Sequence, residues 1–297
     1  MNYIAVDWGT SNFRALSVRD GRMIKTVEAD CGVGKCQRDA LPLILQQQLL
    51  RLGEAYDEQL PVILCGMIGS NIGLADAGYL SLPLSFSALF GKGQPLPGII
   101  PNPVSLRPGI CDRRVNEICR GEDMQLAGGL MLSAAQNFAA VGTHSKWLRV
   151  DRQQQQVTRL QTLMTGELYA LLLNHSVLGK GLPEQCWSHQ AFLSGIETAQ
   201  SIQHQQTDLI SELFRCRGRY ILKALAAEAA AAWLSGLLIG HELLSGATDP
   251  ETICFIGSES LLAHYRLACE ALNQPAEFLP AETALIAGLN EVFRHGY

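Results

Sequence analysis

The sequence predicts an α/β protein built as two lobes. Three observations carry that expectation. A strand, a glycine turn, a second strand, a hairpin and a third strand fill the stretch from Tyr3 to Val27. The same order returns from Phe138 to Leu163. Short apolar strands also run straight into glycine-containing loops, Val62–Cys65 into Gly66–Asn71 and Thr252–Ile256 into Gly257–Ser260. The chain has 297 residues, 47% of them hydrophobic, which is ample for two cores.

The first unit opens on Tyr3-Ile4-Ala5-Val6, an apolar run that reads as a buried strand. Asp7 stands at its end, and Gly9 to Asn12 are small and turn-prone. Phe13 to Val18 resumes a strand, Asp20-Gly21 is a hairpin signal, and Met23 to Val27 gives a third strand. A strand-end carboxylate, a glycine turn and the basic Arg14 suit phosphate binding, because turn N–H groups can point at phosphate oxygens. Asp7 can hold Mg²⁺ through water, since Mg²⁺ gives up its waters reluctantly. The plainer alternative is a hairpin whose aspartate only caps a turn.

Leu41 to Leu52 has apolar residues at helical spacing, with Pro42 in its first turn. The loop after Val62–Cys65 contains Gly69, Ser70 and Asn71, a candidate substrate loop beyond the carboxyl end of a strand. Leu80 to Pro108, rich in proline and glycine, is expected to be irregular with short edge strands, 99–100 and 104–106 among them. Arg120-Gly121-Glu122-Asp123 precedes a helix expected over 124–136, where a carboxylate can be either a cap or a base.

The second unit places Gly142-Thr143-His144-Ser145-Lys146 in its first turn. Beyond it the chain reads as mostly helical: 165–176, 188–205, 208–215, and one long Ala/Leu-rich helix over 220–244. Ser235-Gly236 and Gly240 could let another backbone approach. Helices are also expected over 261–272 and from Glu282 onward, with a short strand at 276–278.

Composition narrows the function. Net charge is −5, and no basic run or basic-aromatic stripe appears, so nucleic acid and anionic membranes are poor partners. Nine cysteines are scattered without a Cys-x-x-Cys pair, which reads as reduced thiols in a cytoplasmic protein. The most membrane-like stretch, 224–240, is interrupted by Glu228 and Ser235 and falls short of a clean span of about 18 residues.

The motif Asp7, Gly9, Thr10, Arg14 resembles the first phosphate motif of the sugar kinase, heat-shock ATPase and actin superfamily. The order of the rest is similar too. Gly121 to Gly129 looks like the first connection, Gly142-Thr143 like the second phosphate motif, Ile256 to Ser260 like the adenosine motif, and Thr283 to Gly288 like the second connection. Two departures stand out: Ala140 replaces a frequent aspartate, and the adenosine motif has one glycine where two are common.

Within that superfamily the chain resembles the 2-dehydro-3-deoxygalactonokinase family. The residues are Val6–Asn12, Gly66–Asn71, Arg120–Glu122, Gly142–Trp147, Met164–Glu167 and Leu172–Ser176. The resemblance implies two actin-like (ribonuclease H-like) lobes around an active-site cleft, one spanning 1–136 plus 282–297 and the other 137–281. It implies a transferase of galactonate degradation that phosphorylates the terminal C6 hydroxyl of 2-dehydro-3-deoxy-D-galactonate, with ATP and Mg²⁺.

The site it implies has Glu122 as base, Asp123 as the alternative one residue on, and Asp7 orienting the metal. Phosphate and ATP contacts fall to Gly9, Thr10, Ser11, Asn12, Arg14, Gly142, Thr143, Lys146, Gly257 and Ser258. Substrate contacts fall to Gly69, Ser70, Asn71, Arg120 and His144. The competing readings are a kinase of another small sugar acid or acylamino sugar, and an actin-like ATPase or nucleotide switch without a sugar acceptor. Whether the protein is a monomer or a homodimer stays open.

Overall fold

The computed structural model describes residues 1–246 and 251–296. In chain order the first half carries β1 (Tyr3–Trp8), β2 (Phe13–Arg19), β3 (Arg22–Ala29), α1 (Leu41–Leu50), β4 (Val62–Cys65), β5 (Tyr79–Ser81), β6 (Leu84–Ser85), α2 (Phe86–Leu89), β7 (Gln94–Pro95), β8 (Val104–Leu106), β9 (Gly109–Asp112), β10 (Glu117–Cys119) and α3 (Glu122–Leu132). The second half carries β11 (Asn137–Ala140), β12 (Ser145–Asp151), β13 (Gln156–Leu163), α4 (Thr165–His175), α5 (His189–Gln203), α6 (Leu209–Ile221), α7 (Ala230–Gly246), β14 (Ile253–Gly257), α8 (Glu259–Leu272), β15 (Ala276–Pro280) and α9 (Ala281–Arg294).

These elements form two compact α/β units of actin-like build. One holds residues 1–136, 148–160 and 279–297, and the other 137–147 and 161–278. The expected lobes ran 137–281 without a break, whereas the far end of the β12–β13 hairpin belongs to the first unit. There Val157 and Gln156 pair antiparallel with Leu84 and Ser85 of β6. The expected lobes also include 247–250 and 297, which lie outside the described residues.

In the first unit the main sheet runs β3-β2-β1-β4-β8-β7. β1 and β4 are parallel neighbours with Asp7 beside Cys65, so the loops leaving both strands start at the same sheet edge. Helix α1 seals one face. Leu41, Leu45 and Leu49, four residues apart, are all buried with Ile4, Val6, Trp8, Val62 and Leu64. Helices α3 and α9 pack backbone to backbone: a side chain on Gly128 would stand 1.7 Å from the Ala284 carbonyl oxygen. That contact fixes the base of α3, whose other end carries the two carboxylates.

The second unit pairs β11 with β14 in parallel. Its helices gather around α7. Gly236 of α7 meets Phe192 of α5, and Gly240 meets Ile196 and Ala199, so the small residues of α7 do admit a second backbone.

Two expectations are corrected. The long helix over 220–244 is two helices, α6 ending at Ile221 and α7 starting at Ala230, because Lys223 takes a left-handed turn (φ 63°) that no α-helix continues through. The proline- and glycine-rich stretch is mostly irregular with short strands, as expected, and 104–106 forms β8. It yields β5, which joins β9 and β10 in a three-stranded sheet, while 99–100 forms no strand. Among the described residues no helix is long and apolar enough to cross a membrane.

Candidate active site

Three separate segments of the first unit converge on Asp7. β1 delivers its carboxylate, and β2 brings Arg14 directly across the ladder, Nη2 lying 3.1 Å from Asp7 Oδ2. β4 runs straight into Gly66, whose φ of 89° turns the chain sharply. A Cβ there would stand 2.9 Å from the Trp8 carbonyl oxygen and 3.2 Å from Asp7 Oδ1. Gly121, with φ 109°, starts α3 on the same spot: a Cβ on it would lie 3.5 Å from Gly66 Cα and 4.0 Å from Asp7 Oδ1. Both positions need a residue that tolerates positive φ, and at Gly66 a side chain would also crowd the Trp8 carbonyl and the Asp7 carboxylate.

The turn from Gly9 to Asn12 is exposed at Thr10, Ser11 and Asn12, yet firmly placed. Gly9 N donates to the Asn12 carbonyl at 2.9 Å. The carbonyls of Gly9, Thr10 and Ser11 accept from the amides of Val33, Gly34 and Gly32, at 2.9, 2.9 and 3.0 Å. The Trp8 indole N–H donates to the Cys31 carbonyl at 2.8 Å, tying the same loop down. A Cβ on Gly32 would stand 2.2 Å from the Ser11 carbonyl carbon, so this loop lies flat against the turn.

The two carboxylates at the start of α3 have different surroundings. Asp123 is buried, and its Oδ1 accepts from the Gly121 amide at 2.6 Å. Burial pushes its carboxyl up to about 6, against the opposing pull of that amide and of Arg107, with Glu122 adding to the rise. Glu122 is half-buried, its Oε2 3.5 Å from Cys119 Sγ. Arg107 is buried as well, donating to the carbonyls of Leu89, at 2.7 Å, and Gly91.

The loop beyond β4 is held by Arg120. Its guanidinium donates to the carbonyls of Gly69 and Gly78, lies 3.8 Å from Asp76 and sits 4.3 Å over the Tyr79 ring. Ser70 is buried and donates to the Met67 carbonyl at 2.7 Å, while Asn71 is exposed.

In the second unit the turn after β11 packs on the start of α4. A Cβ on Gly166 would stand 2.6 Å from the Gly142 carbonyl oxygen, and the Glu167 amide donates to the Thr143 carbonyl at 3.0 Å. His144 Nε2 pairs with the Glu167 carboxylate. Lys146 is buried, its ammonium 2.9 Å from Thr162 Oγ1. Gly257 ends β14 against Val141, and Ser258 caps α8 by accepting from the Leu261 amide.

Beside this turn is a cavity of about 200 Å³ lined by Gly142, Thr165, Gly166, Tyr169, His264 and Tyr265, with leucine and isoleucine side chains. Burial holds the His264 imidazole toward its neutral form.

Under the cavity is Glu242, buried within α7. It accepts from the Trp147 indole at 2.9 Å and from Ser145 Oγ at 3.2 Å. Burial raises its carboxyl, and hydrogen bonds from Thr165, Trp147, Tyr265 and Ser145 pull it back. This hub joins β12, α4, α7 and α8. Sequence reading missed it, although a lone carboxylate inside Leu237-Leu238-Ile239-Gly240-His241-Glu242-Leu243-Leu244 was a readable signal. Arg107, inside a proline-rich stretch, offered none.

Two α/β units that each open on a strand, a glycine turn and a hairpin, the first with a carboxylate at its strand end, define a protein of the actin-like fold class. The 2-keto-3-deoxy-galactonokinase family model matches residues 7–292, and the chain belongs to that family. It is 34% identical to a 2-dehydro-3-deoxygalactonokinase of Escherichia coli K12 over 296 residues, covering 98% of this chain and 97% of that one. A crystal structure from Sinorhizobium meliloti, assigned to a 2-dehydro-3-deoxygalactonokinase, aligns with a TM-score of 0.87 at 29% identity over 99% of both chains.

Proposed function

We propose that the protein transfers the γ-phosphoryl group of ATP to the terminal C6 hydroxyl of 2-dehydro-3-deoxy-D-galactonate. The observation that carries this reading is the meeting of Asp7, Gly66 and Gly121 at the start of α3, where Glu122 stands. A base beside a phosphate-type turn is what a kinase needs and a nucleotide switch does not.

Phosphoryl transfer depends on in-line positioning and charge stabilisation more than on covalent chemistry by the protein. Glu122 accepts the proton as the acceptor oxygen attacks, and ADP leaves. Asp123 supports it from below through the Gly121 amide. The Gly9–Asn12 turn offers amides to phosphate oxygens in the first unit, and Gly142-Thr143 in the second. Arg14 and Lys146 supply positive charge near those turns. The cavity beside Gly142, with Gly257 and Ser258 at the start of α8, takes the nucleoside. Gly69, Ser70 and Asn71 shape the acceptor side, with Arg120 holding that loop in place. His144, oriented by Glu167, is the second unit's candidate partner for the acceptor's carboxylate.

Asp7 fits a Mg²⁺ ion that arrives with ATP. Its Oδ2 engages Arg14 while Oδ1 lies against the two glycines, leaving a carboxylate edge that side chains there would have filled. Among the described residues no three ligating side chains cluster, and Mg²⁺ held largely by phosphates and water needs only one or two carboxylates. When bound, the ion would neutralise phosphate charge.

The test is an ADP-release assay against a panel of 2-keto-3-deoxy sugar acids and acylamino sugars. Rapid ADP formation should require 2-dehydro-3-deoxygalactonate. ADP release at the same rate without any acceptor would identify an ATPase instead, and a preference for another acceptor would move the substrate.

A further inference from the structure

Helix α6 has two apolar stripes. The inner one, Leu209, Leu213, Cys216 and Tyr220, packs in one cluster with Trp233 and Leu237 of α7. The outer one is exposed: Ile210 by 82%, Phe214 by 63% and Ile221 by 56%, continuing in Leu222 by 80% just past the helix end. Gly218 lies on that outer face, with open space where a side chain would stand. Positions 210, 214, 218 and 221 share one face at helical spacing. Single exposed apolar residues are ordinary, but a stripe of this kind marks an interaction surface. A glycine in a helix interior weakens the helix relative to alanine, and here no neighbour among the described residues requires one.

We propose that this face docks a second copy of the chain, α6 against the partner's α6, antiparallel about a two-fold axis. The face is self-complementary in that arrangement. Cys216 is buried, so an axis crossing the helix at the level of 216 emerges on the opposite, outer face. Positions equidistant from 216 then meet. Phe214 falls on the partner's Gly218, a ring over the open space, and Ile210 falls on the partner's Leu222. Both contacts occur twice, as a two-fold interface requires.

Charge agrees with the same direction. The N-terminal end of α6 carries the exposed Asp208, which caps the Ser211 amide at 2.9 Å. The C-terminal end carries the exposed Lys223, while Arg217 is held on the Val177 carbonyl and Tyr220 hydroxyl and Arg219 on Glu212. An antiparallel pair sets acidic end against basic end and opposes the two helix dipoles, whereas a parallel pair would align like ends. Between the ends, Glu212 is buried and paired with Arg215 and Arg219, so the flanks of the stripe bring no unpaired acid.

Light scattering on the full chain across micromolar concentrations tests this. Wild type should have twice the chain mass. Phe214→Glu should halve that mass without changing kcat or the far-ultraviolet circular dichroism, since the side chain is exposed within the chain and far in sequence from every residue assigned to catalysis. A wild type that stays monomeric, or a dimer that survives Phe214→Glu, would overturn the proposal. The register has its own test. Ile210→Asp and Leu222→Lys should each dissociate the dimer, and the double variant should restore it through two new ion pairs. A double variant that stays monomeric would overturn the antiparallel pairing.

Discussion

The turn at Gly9 and the turn at Gly142 open two copies of one supersecondary unit, yet they are built differently. The first is charged. Asp7 and Arg14 face each other at its mouth, and Glu122 and Asp123 begin α3 close by. The second has Ala140 where a carboxylate could have stood, and an apolar cavity beside it. Their supports differ too. Loop amides of Gly32 to Gly34 pin the first turn by its carbonyls, whereas the second leans on α4, which a buried carboxylate, Glu242, ties to α7. Under the proposed function the difference is a division of labour, one turn for reacting groups and the other for the body of a nucleotide.

The sharpest way to break that comparison is to remove the base. General-base assistance is typically worth about 10²–10⁴-fold. Glu122→Gln should therefore lower kcat by that order while the Kd for ATP barely changes. If Asp123→Asn is the inactive variant and Glu122→Gln stays active, the base is the buried residue and not the half-buried one. If both remain active, positioning alone carries the reaction.

Asp7→Asn comes next. A carboxylate acting on the transferring group should cost on the order of 10²-fold in kcat when neutralised. The melting midpoint should move little, because the Asp7–Arg14 pair is partly exposed and such pairs contribute only about 0–1 kcal/mol. Near-normal kcat would reduce Asp7 to a turn-capping residue.

A matched pair of glycine substitutions compares the two turns directly. Gly32→Ala would press a methyl onto Ser11, and Gly166→Ala would press one onto the Gly142 carbonyl. Overpacking of this kind costs about 1–3 kcal/mol, so both midpoints should fall. The kinetic signatures should separate: Gly32→Ala should lower kcat, and Gly166→Ala should mainly raise the KM for ATP. Identical signatures would mean the turns do not divide the work.

Much of this was legible in the sequence where the signal is contiguous. Val6-Asp7-Trp8-Gly9 holds strand, carboxylate and turn in one run, and β4 leads straight into Gly66. The two three-strand units, α1 and α8 followed from periodicity. What was not legible depends on pairings across the chain. Glu242 meets Ser145 over 97 residues and Trp147 over 95, and no local pattern links them. The break at Lys223 was hidden because alanine and leucine favour helix on either side of one left-handed residue. The sheet of β5, β9 and β10 was masked by proline and glycine, which mark turns without showing how short the strands between them can be. At α3 the sequence offered two adjacent carboxylates, and only burial distinguishes them.

That distinction supports the prediction with the smallest effect on turnover. Asp123 has its carboxyl raised to about 6, chiefly by burial. Between the ordinary carboxylate value and about 6, the folded state therefore binds a proton that the unfolded chain has released. Stability must then fall as pH rises through that window, because ionising the group costs more inside than outside. Below the window both states are protonated, and above it both are ionised, so the contribution is flat at either end. Asp123→Asn keeps the oxygen that accepts from the Gly121 amide and cannot ionise. Subtracting the variant's melting profile from that of wild type isolates this one group. The difference should turn against wild type from about pH 4 to about pH 6 and then level off. A difference that stays flat, or that favours wild type as pH rises, would mean that Arg107 and the Gly121 amide outweigh burial.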